Sequence, residues 1–126
     1  TAASQKTKGV SEMDAVKALL AFAREVDAMF EVTDGDRLCA AYNDVCCPVD
    51  EERGTAWRQY SAGTLNFIEY KQIRESCVDA MRAAYFAVQR LNARSIRAQL
   101  ARQLEADRIA HIALVHRACA AAMGAR

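Results

Sequence analysis

Residues 64–123 contain neither glycine nor proline. The two residues that most readily interrupt a helix are therefore missing from almost half the chain. Ala, Leu, Arg, Gln and Glu, all strong helix formers, fill much of that stretch. As one straight helix it would run to about 90 Å. A small globular domain does not hold such a rod, so a break is expected. Residues 92–95 are the expected place, because Asn92 and Ser95 can turn their side chains onto the backbone instead of extending the helix. Ahead of that point Cys77, Met81, Ala84, Val88 and Leu91 alternate steps of four and three, a coiled-coil-like seam. Beyond it come Ile96, Leu100 and Leu104, then Ile109, Ile112, Val115 and Cys119.

The first half is punctuated. Residues 1–10 read as a flexible lead-in and residues 11–126 as a single helical domain. Ser11 is the expected cap of a first helix, with Val16, Leu19, Leu20, Ala23, Val26 and Phe30 as its apolar stripe. Thr33, Asp34 and Gly35 are expected to stop it. A short second helix, about residues 36–47, should end at Pro48, which has no amide hydrogen and clashes with the preceding turn. Asp50 then caps a third helix carrying Ala56, Trp57 and Tyr60, and 61–63 end it, with Thr64 free to cap the next. No long period-two alternation is present. The expected fold is all-α: about five helices in one antiparallel bundle, the last two long.

At 126 residues and 52% hydrophobic content the chain suits one domain with a real core. No run of 18 apolar residues predicts a membrane span. The five cysteines fit no paired zinc spacing and read as reduced thiols, which favours a reducing or mitochondrial compartment. The first residue is Thr1, so an anchor or targeting segment is expected to precede it. A net charge of +1 hides an asymmetry. Residues 1–53 hold 11 acids and 6 bases, whereas residues 82–126 hold 8 arginines against Glu105 and Asp107. Those ends attract one another, or the basic end awaits an acidic partner.

Catalytic patterns are absent. No phosphate-cradling glycine loop, serine-nucleophile pattern or H-E-x-x-H occurs. His111 and His116 stand five apart, off any one helical face. Asp107 and His111 share a face but lack two further ligands, so neither a metal nor a cofactor is expected. Asp50, Glu51 and Glu52 suit a helix's first turn. Arg90, Arg94 and Arg97, at steps of four and three, form a basic stripe that either pairs within the chain or receives an acidic or phosphorylated protein segment. Aromatics do not interleave with those arginines, which disfavours nucleic acid. Trp57 and Tyr42 are the large anchors of the middle, as core residues or as interface hot spots. The expected function is a non-enzymatic scaffold or adaptor that binds a protein partner through Arg90, Arg94, Arg97, Trp57 and Tyr42, with a homodimer as one arrangement.

The segment Leu38-Cys39-Ala40-Ala41-Tyr42-Asn43-Asp44-Val45, followed by Ala56-Trp57-Arg58, resembles the third-helix signature of 14-3-3 proteins. Asn43 stands where that family carries a phosphate-binding lysine, so phosphopeptide recognition does not transfer. A small, Ala- and Arg-rich helical chain resembling 14-3-3 and tetratricopeptide hairpins is similar to the kinetoplastid mitochondrial MIX family. That resemblance implies attachment to a mitochondrial membrane through an N-terminal segment. Residues 80–85, with Arg90 and Leu91, also resemble the last-helix region of tubulin-binding cofactor A, which implies a helical chaperone.

Overall fold

A computed structural model describes the backbone of residues 2–124 and the side chains of residues 14–124. Three helices make up the described chain: α1 (Ala2–Ala28), α2 (Gly35–Ser61) and α3 (Phe67–Gly124). No strand occurs among the described residues. Each helix packs against the other two. The fold is all-helical as expected, with three helices in place of five.

Two expected breaks are helical instead. At residues 92–95, Ser95 keeps its hydroxyl inside the helix by donating to the Leu91 carbonyl at 2.9 Å. The Oγ also accepts the Val32 amide at 2.8 Å, so a residue able to end a helix instead fastens the α1–α2 connection to α3. Pro48 lies within α2 with its ring exposed. Its missing amide costs one backbone bond, and the cost is offset because a continuous helix places Val49 and Ala56 in buried positions.

The helix ends carry the local chemistry that fixes them. α1 stops at Ala28, earlier than expected, and Phe30 is left three-quarters exposed in the connection. Asp34, expected in the stop of α1, caps α2 by accepting the Arg37 amide at 3.1 Å. Gly63 takes a φ of 80°, which only glycine adopts freely. Its amide donates to the Tyr60 carbonyl and that of Thr64 to Gln59, the paired bonds of a Schellman end. Asn66 rather than Thr64 caps α3. Its Oδ1 accepts the Glu69 amide at 2.8 Å, and Glu69 returns a carboxylate to the Asn66 amide at 3.2 Å.

The core lies among the three helices where α3 is richest in small residues. Cys77, Ala80, Ala84, Ala87 and Leu91 are buried, again at alternating steps of three and four. Met81 and Val88, expected in this seam, pack at its margin. The small side chains let the helices approach closely, while Leu19, Phe22 and Val26 of α1 and Val49 of α2 fill the space between them. Burial ends at Ser95. Every residue from 99 to 124 is exposed, so about 39 Å of α3 stands clear of the other helices.

Candidate interaction surface

The basic stripe divides once it meets the end of α1. Arg90 grips Asp27 with a fork of two bonds, at 2.9 and 2.8 Å. Arg94 donates to the carbonyls of Val26 at 3.0 Å and Met29 at 2.8 Å. These lie at the end of α1; the Val26 carbonyl also accepts the Met29 amide at 3.1 Å, so Arg94 adds to the closing bond of that helix end from another element. Arg102, outside the expected stripe, forks onto Glu31 in the same connection. Arg97 forms no ion pair among the described residues and is exposed. Hydrogen bonds from Arg90 hold the Asp27 carboxyl below its ordinary range, and those from Arg102 do the same for Glu31.

Tyr42 and Trp57 occupy different places. Tyr42 is half-buried beside the core, tilted on Phe22 with ring centroids 6.0 Å apart. Burial raises the pKa of its hydroxyl and that of the neighbouring Cys46 thiol. Trp57 is more than half exposed. It meets Tyr70 at 5.7 Å and Tyr60 at 6.0 Å, and Tyr60 stacks on Tyr70 at 4.9 Å. Phe67, also exposed, completes an aromatic cap over the α2–α3 turn. Twenty residues of helix, about 30 Å, separate Tyr70 from Arg90. The five expected partner residues therefore form no single surface: Arg90 and Arg94 share one place, Tyr42 another, Trp57 a third.

Uncovered apolar side chains also line the overhanging half of α3. Leu100, Leu104, Ile109 and Leu114 are each more than half exposed, with Ile112 and Val115 somewhat less so. Past Arg102 the side-chain bonds are local: Gln103 donates to Asp107 at 2.9 Å, and Arg108 forks onto Glu105. No group of three metal-ligating side chains occurs among the described residues, and none of their helices is long and apolar enough to cross a membrane.

Comparison with protein-family models, curated proteins and solved structures finds no match for this chain. Sequence reasoning did not single out two parts of this surface. The aromatic cap was signalled by Trp57, Tyr60, Phe67 and Tyr70 crowding around a glycine turn. The overhang was hidden by the expected fold-back at 92–95, which would have buried these same leucines.

Proposed function

We propose that this chain is a non-enzymatic helical scaffold, an adaptor whose three packed helices hold a protruding helix for another protein to grasp. The observation that carries this reading is the run of exposed apolar side chains along residues 99–124 of α3. Isolated apolar residues are common on protein surfaces, but Leu100, Leu104 and Leu114 recur on one side of a helix that no other helix covers, and such a side suits recognition by a partner. The arginines support the same view. With Arg90, Arg94 and Arg102 committed to α1 and its connection, little of the basic stripe is left for phosphate, which weighs against nucleic acid.

Cross-linking in the native cell followed by mass spectrometry tests the reading. Cross-links from residues 99–124 to a protein are expected, and recovery of RNA or a small metabolite alone defeats it. A second reading, a helical chaperone resembling tubulin-binding cofactor A, is favoured by one observation: α3 continues as a rod where a fold-back was expected. Co-sedimentation with purified tubulin separates the two.

A further inference from the structure

One face of α3 has a palindromic spacing. On the side of the helix turned away from the buried seam lie Ile96, Leu100, Leu104, Asp107, His111, Leu114, Ala118 and Ala122. The steps between them are four, four, three, four, three, four and four, the same read in either direction. A second copy laid antiparallel with its centre at the level of residue 109 therefore keeps register along the whole face. We infer that the occupant of this face is a second copy of the chain, forming a two-fold antiparallel pair through the overhanging half of α3.

The residue types fit that register. Leu104 meets the partner subunit's Leu114. Leu100 meets Ala118 of the partner subunit, and Ile96 meets the partner's Ala122, so in these two outer layers large side chains oppose small ones. At the centre Asp107 opposes the partner's His111, and His111 opposes the partner's Asp107. A parallel copy would instead set Asp107 against itself and Ile96, Leu100 and Leu104 against their own bulk. Only the antiparallel arrangement is complementary in both charge and volume. The three-helix core lies on the opposite side of α3, so it leaves the approach open.

Each partner of a stable pair buries roughly 800 Å². Residues 96–122 supply about 40 Å of contact length toward that need.

This inference rests on residues 99–124 being a docking surface, and the experiment separates the two. Light scattering and sedimentation equilibrium on the full chain should give about twice 13.9 kDa at micromolar concentration. Leu104→Glu should weaken the pair by on the order of a hundredfold, because it sets a charge in the apolar seam, while leaving the cooperative melt of the three-helix core in place. Asp107→Arg alone and His111→Glu alone should each weaken it about tenfold, and the combined variant should restore it. A monomer at tens of micromolar, a trimer or larger assembly, or a combined variant no better than the single ones overturns the inference. If the chain is monomeric while residues 99–124 cross-link to a foreign protein, the second copy is rejected and the scaffold reading stands. If it pairs as described and captures no foreign protein, the pairing stands and the adaptor reading falls.

Discussion

Arg94 and Arg97 are three residues apart, share a sequence pattern, and do different things. Arg94 is a donor to two carbonyls at the end of α1 and just past it, while Arg97 faces water. Arg94→Gln is expected to lower the melting temperature by several degrees, and Arg97→Gln to leave it unchanged, as followed by circular dichroism. Ser95 is the other residue whose role the sequence concealed. Ser95→Ala deletes the acceptor of the half-buried Val32 amide and should cost about 1–2 kcal/mol in denaturant unfolding. The ion pairs at the α1 end also set a pH dependence. Asp27 and Glu31 hold their protons less tightly when folded than when unfolded. Their contribution is thus complete above the ordinary carboxylate range and is lost as pH falls below it, through the lowered folded values. The protection factors of amides at residues 29–32, corrected for the intrinsic rate at each pH, should therefore fall between pH 5 and about pH 3, and less so in Asp27→Asn.

At the scale of elements, helical character was legible because Gly and Pro are few and the apolar steps are three and four. The buried seam from Cys77 to Leu91 was found to within one residue of register: Ala80 and Ala87 take the innermost positions where Met81 and Val88 were expected. Small residues are hard to place from sequence, since alanine serves both a tight seam and an exposed face. The breaks were misread for a different reason. Both Pro48 and residues 92–95 are locally unfavourable to a helix, but tertiary packing on either side of each outweighs the local cost. Pro48→Ala should accordingly raise stability by about 1–3 kcal/mol, since it restores an amide to an exposed helical position. Ala84→Leu should lower it by about 1–3 kcal/mol, because the seam has no room for the larger side chain. The candidate surface was only partly legible: Trp57 and Tyr60 were named, but their packing with Phe67 and Tyr70 emerges only when α2 and α3 meet across their turn.

The whole molecule is elongated by the length of α3, and that is directly measurable. Spin labels introduced through non-natural residues at Gln72 and Val115, in labelled chains diluted with unlabelled protein, should report a single distance near 65 Å, the span of the intervening helix at 1.5 Å per residue. A fold-back at 92–95 would give a far shorter one. The overhang also has a thermal consequence. Starting a helix in water is costly, but residues 99–124 extend from turns that the core has already ordered, so they need only propagate. Propagation is weakly favourable when cold and fades on warming. A lone chain should therefore unzip from its free end over a broad temperature range, well below the sharp melt of the core. When the two overhangs are zipped together, that gradual loss should merge into a single sharp transition whose midpoint climbs with protein concentration.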